Sequence, residues 1–297
     1  MLEMASLSNH ATAGRTRDVL VGLIGSGIQS SRSPAMHMGE GAALGLRLVY
    51  KIIDLQALRL DVEALPSLVQ AAEWMGFAGL NITHPCKQAV IPLLHELTPD
   101  AAAIGAVNTV LFRDGRRIGA NTDCWGFAES FRRGMTSAPL GTVVQLGAGG
   151  AGAAVAYALL SLGVRRLVLY DREAGRAEAL AASMAAHFGA DRITAVDGVE
   201  HVVPAADGLV NTTPVGMDKY PGLPLEAGLL RPSLWVAEIV YFPLETALLR
   251  EARALGCRTL DGGGMAVFQA VAAFRHFTGL EPDSDRMLAH FAEMRAS

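Results

Sequence analysis

Residues Thr142–Asp171, TVVQLGAGGAGAAVAYALLSLGVRRLVLYD, decide the fold of this chain. An apolar strand enters the glycine-rich turn Gly147-Ala148-Gly149-Gly150-Ala151-Gly152, a helix of small residues follows, and a second apolar strand ends at Asp171. This order of strand, GxGxxG turn, helix and acid is typical of a dinucleotide-binding unit. There the first glycine permits the tight turn, the second admits a pyrophosphate and the third allows close helix packing. The stretch therefore predicts a doubly wound, Rossmann-like domain with a helix N-terminus facing the phosphates.

The charge pattern bears on two other classes of protein, membrane proteins and nucleic-acid binders. Residues 134–164 carry no charge, as a membrane span of about 20 apolar residues would. Pro139 and the clustered glycines interrupt that run, so the strand–turn–helix interpretation is favoured. The formal net charge of −4, without a basic block, gives no sign of a nucleic-acid surface. We therefore expect neither a membrane protein nor a nucleic-acid binder.

The length of the chain limits the number of domains, and its cysteine content limits the kinds of cross-link and metal site. A chain of 297 residues, 51% of them hydrophobic, is long enough for two domains. Cys86, Cys124 and Cys257 are too few and too scattered for a disulfide framework or a zinc site, so we expect reduced thiols, a cytoplasmic protein and no metal. Residues 1–17 lack the apolar core of a signal peptide and are predicted to be a disordered leader.

Strands and helices alternate before the glycine turn, which predicts a separate α/β unit there. Strands are predicted at 19–25, 48–53, 76–83, 107–112 and 117–120, and helices from Pro34, over 62–75, over 85–97 and from Asp123. Beyond the turn, strands are predicted at 207–211, 234–240 and 257–260, and helices over 173–188, 244–255, 265–278 and 284–295. We expect a first domain of residues 18–123 plus 264–297, a dinucleotide domain of 124–263 and a ligand cleft between them.

Polar clusters end the apolar elements of the first domain, where binding groups commonly lie. They are Ser31-Arg32-Ser33-Pro34, Asn81 to Lys87, Asn108-Thr109 and Asn121-Thr122-Asp123. Hydroxyls, amides, one ammonium and one carboxylate suit a ligand with several hydroxyls and a carboxylate. The same residue types also cap helices and form turns, so each cluster alone leaves both interpretations open.

Taken together, the clusters resemble the motifs of the shikimate dehydrogenase family, in particular its quinate/shikimate dehydrogenase-like branch. The resemblance runs in order from about residue 20 to 280. The matching elements are SxSP at Ser31–Pro34, NxTxPxK at Asn81–Lys87, ANT at Ala106–Thr109 with one extra residue, NTDxxG at Asn121–Gly126, GAGGA at Gly147–Ala151, NTTPxGM at Asn211–Met217, YxPxxT at Tyr241–Thr246 and GMxxxQ at Gly264–Gln269.

The resemblance implies reversible oxidation of a cyclohexane-type hydroxy acid by a nicotinamide cofactor, with Lys87 and Asp123 as the catalytic pair. It implies contacts to the substrate from Ser31, Ser33, Thr83, Asn108, Tyr241 and Gln269. For the cofactor, the glycine motif and the resemblance together assign Gly147, Gly149, Gly150, Ala151, Gly152, Asp171, Arg172, Thr212 and Gly264.

The chemistry requires a base at the hydroxyl, because hydride leaves a carbinol carbon only when the hydroxyl proton also leaves. We expect Lys87 to transfer that proton and Asp123 to orient the amine and the substrate. Asp123 as the base is the competing assignment, and the sequence does not separate the two.

The residues after the second strand bear on cofactor choice. Family members that use NADP often carry Asn-Arg-Thr there, whereas this chain has Asp171-Arg172-Glu173. A carboxylate accepts hydrogen bonds from the ribose hydroxyls and repels a 2′-phosphate, so NAD is favoured over NADP. Arg172 could turn toward a phosphate or pair with a neighbouring acid.

Several alternatives remain open at this level. The substrate could be shikimate, quinate, both or an amino analogue, since one hydroxyl is distinguished by side-chain placement that spacing does not reveal. A non-catalytic NAD or metabolite sensor would use the same scaffold, but would be expected to lack the Lys87–Asp123 pair. A monomer and a homodimer both fit.

Overall fold

The computed structural model describes residues 17–294, apart from the side chain of Ala174. Six strands form a first, mixed sheet in the order β2-β1-β3-β5-β6-β4. They are β1 (Asp18–Gly25), β2 (Arg47–Asp54), β3 (Gly79–Ile82), β4 (Glu96–Leu97), β5 (Thr109–Arg113) and β6 (Arg116–Ala120). The α-helices among and after them are α1 (Ser33–Ala43), α2 (Leu55–Leu58), α3 (Leu65–Trp74), α4 (Cys86–Ala89), α5 (Pro99–Ile104) and α6 (Thr122–Gly134).

The second sheet has the doubly wound order β12-β11-β10-β7-β8-β9, and all its strands are parallel. Its strands are β7 (Thr142–Leu146), β8 (Arg166–Tyr170), β9 (Ile193–Ala195), β10 (Gly208–Asn211), β11 (Trp235–Glu238) and β12 (Thr259–Leu260). Its helices are α7 (Gly150–Ser161), α8 (Ala174–Phe188) and α9 (Ala247–Ala254), and the chain continues into α10 (Gly263–Thr278) and α11 (Ser284–Glu293). This strand order confirms the predicted two-domain α/β fold with a Rossmann-like second domain.

The strand order reverses between β7 and β10, which are neighbours in the sheet. Ligands of open parallel sheets bind at the carboxyl ends of the strands on either side of such a reversal. Here those ends lead into Gly147 and Thr212, so the glycine turn lies at the position where the topology forms a crevice.

The two sheets are joined through α6 and α10, which cross closely. Phe127 and Phe131 of α6 belong to the buried cluster of the second sheet, whereas Phe274 and Phe277 of α10 pack against β1 and β2 of the first. At the crossing, Gly126 leaves no room for a side chain. The packing of α10 on the first sheet agrees with the predicted return of the C-terminal helices, while the domain boundaries themselves remain a prediction.

One predicted helix is wrong. Residues 85–97 form the short α4, a 3-10 turn over Ile91–Leu93 and the edge strand β4. Pro92 lacks the N–H that a continuing helix needs, and its ring opposes the preceding turn. The short helices α2 and α5 and the three-residue strand β9 were not predicted, because elements of six residues or fewer carry little periodic signal.

The N-terminal end of the described chain is hydrogen-bonded to α10. The predicted leader lies outside the described residues except for Arg17, whose guanidinium donates to the Thr278 carbonyl oxygen at 2.6 Å. Within residues 17–294, no helix has both the length and the apolar character needed to cross a bilayer. All three cysteines are free.

The close crossing predicts that Gly126→Ala destabilises the protein. The added methyl would lie 2.6 Å from the Gln269 nitrogen and 2.9 Å from the Met265 carbonyl oxygen, and neither backbone atom can move alone. We expect a loss of about 1–3 kcal/mol in the free energy of unfolding, although alanine is intrinsically the better helix former. Chemical denaturation measures this loss.

Gly228→Ala is the matched control, since its added methyl would meet nothing within 4 Å. We expect a change within about 0.5 kcal/mol for that variant. Equal stability of the two variants would contradict a tight crossing at Gly126.

Candidate active site

The glycine turn is held from beneath by two buried polar side chains. Gln145 of β7 donates from Nε2 to the carbonyl oxygens of Gly147 and Gly152, both at 2.9 Å. The Thr212 hydroxyl lies 2.8 Å from the Leu146 carbonyl oxygen and 2.9 Å from that of Gly147. Gly147 has φ of +97°, a conformation that favours glycine, and a side chain at Gly152 would collide with the Gly147 carbonyl. The turn is therefore fixed in one shape by groups of the chain itself.

The outer side of the turn is open. A methyl group at Gly149 would meet nothing within 4 Å, and α7 begins at Gly150 without a side-chain cap. The first N–H groups of a helix have no partner within the helix, so they attract an anion such as a pyrophosphate. The residues present therefore fit a dinucleotide at this turn.

Lys87 and Asp123 form an ion pair beside the glycine turn. The distance from Nζ to Oδ2 is 2.6 Å, and only 18% of the Lys87 and 10% of the Asp123 side chain is exposed. A methyl group at Gly150 would lie 3.8 Å from Cδ of Lys87. The structure thus brings the predicted pair, carried by the first domain, against the predicted cofactor turn of the second.

Each member of the pair is anchored through its backbone. The side chain of Asn121 caps α6 by accepting from the N–H groups of Asp123 and Cys124, at 3.1 and 3.3 Å. The Lys87 carbonyl oxygen accepts from Val107 N–H at 2.9 Å. Both side chains therefore project from elements whose ends are pinned.

Asn108 lies behind the pair. Its Oδ1 accepts from Thr122 N–H at 2.7 Å, its Nδ2 donates to the Thr122 hydroxyl at 2.9 Å, and only 3% of the residue is exposed. The structure therefore shows Asn108 supporting the segment that carries Asp123. The predicted contact of Asn108 with a substrate stays a prediction.

Tyr50 and Tyr241 lie near each other, and Tyr241 also lies near Asp123. The Tyr50 hydroxyl donates to Oδ1 of Asn81 at 2.8 Å, and burial raises the pKa of Tyr50 despite a hydrogen bond with Ser33. Burial of the Tyr241 hydroxyl also raises the pKa of that residue; the Asp123 carboxylate adds to the rise and the Arg32 guanidinium opposes it. Tyr241 therefore reaches the region of the ion pair, although 43% of the residue as a whole is exposed.

His37 lies behind these tyrosines. Its ring packs 4.9 Å from that of Tyr50, and Nδ1 lies 3.1 Å from the Ser33 carbonyl oxygen. Burial lowers the pKa of His37 to about 4, so the ring is neutral. It is a packing residue.

The loop that carries Ser31 and leads into Ser33 at the start of α1 is ordered by a buried acid. Asp54 accepts from the backbone N–H groups of Gly27, Ile28 and Gln56 and from the Gln29 amide, at 2.8–3.1 Å. Burial alone would raise the pKa of Asp54, but these hydrogen bonds outweigh it and lower the pKa. The carboxylate therefore stays ionised and holds the loop.

Three predicted site residues, Thr83, Gln269 and Gly264, have contacts within the protein itself. Thr83 follows β3, and its N–H donates to the Ile24 carbonyl oxygen at 2.9 Å. Gln269 lies on α10, where its amide donates to the Ala266 carbonyl oxygen at 2.9 Å. Gly264 packs against Ser130 of α6, so the contact that the structure gives it is between helices.

Asp171 contacts the glycine turn directly. Its Oδ2 accepts from Ala148 N–H at 2.8 Å, and its Oδ1 accepts from Glu173 N–H at 3.0 Å. Arg172 is exposed, and Arg176 rather than Arg172 pairs with Glu173, at 2.9 Å. Two carboxylates thus lie next to the position expected for the adenosine ribose.

Sequence reasoning missed Glu238, Asp54, Gln145 and Tyr50. Glu238 ends β11, is 1% exposed and has its pKa raised to about 7, because burial outweighs the hydrogen bonds that it accepts. An acid or amide inside an otherwise apolar strand was the available signal for Glu238 and Gln145. Asp54 and Tyr50 gave only the ordinary pattern of a strand.

The support beneath the turn predicts the effect of Thr212→Val. Valine keeps the shape of threonine but cannot donate to the carbonyl oxygens of Leu146 and Gly147. We expect the Kd for NADH to rise about 5- to 30-fold, corresponding to about 1–2 kcal/mol for a lost buried hydrogen bond. Isothermal titration calorimetry measures this, and Thr212→Ser, which keeps the hydroxyl, should remain within about threefold of wild type. Unchanged NADH affinity in the valine variant would contradict the supporting role.

Comparisons with known proteins agree with this geometry. Residues 23–110 match the model of the shikimate dehydrogenase substrate binding domain. A relative from Streptomyces avermitilis, named shikimate dehydrogenase (NADP(+)), is 60% identical over 277 residues, which cover 93% of this chain and 95% of the relative. A relative from Corynebacterium efficiens, named quinate/shikimate dehydrogenase (NAD(+)), is 51% identical over 279 residues, which cover 93% of this chain and 98% of the relative.

A solved structure extends the similarity to three dimensions. Quinate dehydrogenase from Corynebacterium glutamicum in complex with NAD has a TM-score of 0.88 and 49% sequence identity, covering 93% of this chain and 100% of that one. The matched length covers 93% of this chain, so the similarity extends into both domains. This chain belongs to the shikimate dehydrogenase family.

Proposed function

We propose that this protein is an NAD-dependent dehydrogenase that interconverts a ring hydroxyl and a ketone on shikimate, and on quinate as a further substrate. The observation that carries the proposal is the 2.6 Å ion pair between Lys87 and Asp123, placed against the glycine turn at Gly150. Proton-handling groups and a dinucleotide-binding turn from different domains meet at one cleft. The names of the relatives support the same class of reaction.

In this proposal a bound nicotinamide supplies the hydride acceptor, and the residues of the chain do the rest. In the oxidation direction the Lys87 amine, after releasing its own proton to solvent, takes the proton of the reacting hydroxyl and becomes the ammonium of the ion pair. Asp123 orients both the amine and the substrate. The carboxylate and hydroxyls of the substrate are bound by six residues of the first domain and the adjoining segments: Ser31, Ser33, Thr83, Asn108, Tyr241 and Gln269. Domain closure brings the substrate carbon against the nicotinamide, with residues 18–123 plus 264–297 as one body and 124–263 as the other.

The preference for NAD is argued from charge. Asp171 and Glu173 would lie near a 2′-phosphate and repel it, whereas Asp171 keeps lone pairs for a ribose hydroxyl. The names of the relatives divide between NADP(+) and NAD(+) and do not decide this point. We infer that the two carboxylates outweigh the exposed Arg172.

The catalytic pair predicts the outcome of isosteric substitutions. Lys87→Met removes the ammonium and keeps an unbranched chain of similar length, so we expect kcat for shikimate oxidation to fall at least about a thousandfold. Asp123→Asn keeps the shape but not the charge, and we expect a loss of about 10- to 100-fold because orientation is weakened. Formation of NADH is followed by absorbance with shikimate and with quinate as substrates.

NADH affinity serves as the control for folding in both variants and should stay at the wild-type value. A Lys87→Met variant with near-normal turnover would refute the proton-transfer role, and an Asp123→Asn loss as large as that of Lys87→Met would favour Asp123 as the base. A wild-type protein that binds NADH but oxidises neither acid would instead indicate the sensor function.

Cofactor preference gives a separate prediction. We expect wild-type kcat/KM to be at least about tenfold higher with NAD than with NADP, because like charges oppose the 2′-phosphate. Arg172→Ala should change kcat/KM with NADP by less than about twofold, because an exposed cation contributes little. A marked preference of the wild type for NADP, abolished in Arg172→Ala, would overturn the inference.

A further inference from the structure

Glu238 is a buried acid that the proposed chemistry does not use. It ends β11, and both of its carboxylate oxygens accept from Nδ2 of Asn211, at 3.1 and 3.0 Å. Oε1 also accepts from Val240 N–H at 3.1 Å, and Oε2 accepts from the Thr246 hydroxyl at 3.3 Å. Within residues 17–294, no salt bridge involves Glu238. All the groups that face this carboxylate are therefore neutral donors.

The donors lie in or next to two loops. Asn211 is the last residue of β10 and leads into the loop that follows it. Its Oδ1 accepts from the N–H and hydroxyl of Thr213, and its Nδ2 also donates to the Val215 carbonyl oxygen at 2.9 Å. This loop contains Thr212, which supports the glycine turn.

The second loop connects β11 to α9 and carries Tyr241. Val240, the residue before Tyr241, donates to Glu238 from one side, and Thr246, which caps α9 by accepting from Leu249 N–H, donates from the other. The carboxylate therefore binds both ends of the segment that presents Tyr241 to the region of Asp123.

We propose that Glu238 is a positioning residue that joins these two loops, so that Tyr241 on the substrate side and the 212–217 loop on the cofactor side are held in register by one carboxylate. This inference rests on the proposed function only for its substrate readout. Glu238 touches neither the ion pair nor the glycine turn, and acts through Asn211, Val240 and Thr246.

An acid suits this place because three different donors converge there. An amide offers one acceptor oxygen and an apolar side chain offers none, so a buried donor would lose its partner in either case. The raised pKa of Glu238, about 7, records what burial costs the ionised form, while the hydrogen bonds from Asn211, Val240 and Thr246 work in the opposite direction. The site therefore supplies donors for a carboxylate, although burial makes the ionised form of Glu238 less favourable.

The test is a double-mutant cycle between Glu238→Gln and Tyr241→Phe. We expect Glu238→Gln alone to raise the KM for shikimate about tenfold and the Kd for NADH about three- to tenfold, with kcat within about threefold of wild type. If Glu238 acts through Tyr241, adding Glu238→Gln to Tyr241→Phe should raise KM by less than about twofold more. Calorimetry with NADH and initial rates with shikimate supply the readouts.

Glu245→Gln is the matched control. Glu245 lies in the same loop, is exposed and pairs at 3.0 Å with Arg253, so this identical substitution should leave KM and NADH affinity at the wild-type values. The proposal is overturned if Glu238→Gln changes neither constant, or if the full rise in KM persists in the Tyr241→Phe background. A merely structural role would give that additive result.

Glu238→Asp provides a second variant in case the amide prevents folding. It keeps the charge but withdraws it by one methylene, and should raise the same two constants. Loss of folding in both variants would contradict a role in loop positioning. If wild type binds NADH but does not oxidise shikimate, the proposed function fails, and the inference is then decided by the NADH affinities alone.

Discussion

The crossing of α6 and α10 at Gly126 is the constraint on which the arrangement of the molecule depends. Helix α6 packs through Phe127 and Phe131 into the core of the second sheet, and α10 packs through Phe274 and Phe277 on the first. A side chain at Gly126 would push the two backbones apart. Because Asp123 lies one turn before the crossing and Gln269 lies on the facing helix, the spacing of the helices also sets the geometry of the cleft.

The polar groups of the site are arranged in layers. Lys87 and Asp123 are partly accessible, whereas Asn108, Asn121 and Thr122 behind them are buried and hydrogen-bonded to one another or to the backbone. A buried network of this kind fixes side chains in one arrangement, since any change would leave a donor or acceptor without a partner. On the cofactor side, Nε2 of Gln145 and the Thr212 hydroxyl bind backbone carbonyl oxygens of the glycine turn from beneath.

Much of the fold and of the candidate site could be predicted from the sequence. The sequence predicted the glycine turn and its flanking strands, because few arrangements fit a glycine-rich turn between two apolar runs. It predicted the Lys87–Asp123 pair because several motifs occur in the order that the resemblance requires. The helix over 85–97 failed because apolar spacing outweighed the effect of Pro92. Glu238 escaped notice because one acid at the end of an apolar strand resembles a surface residue until the neighbouring strands are placed around it. Likewise, only the fold reveals that Asp171 contacts Ala148.

The loop that leads to Ser31 and Ser33 is held by Asp54, and this affects how a ligand binds. Four donors from Gly27, Ile28, Gln29 and Gln56 meet one carboxylate, so the segment leading to Ser31 and Ser33 is held in place by groups of the chain itself. A ligand that docks there does not have to supply the entropy of ordering a flexible segment, and more of its contact energy is retained as affinity. Divergence toward a different hydroxy acid is then a matter of exchanging side chains on an unchanged backbone frame.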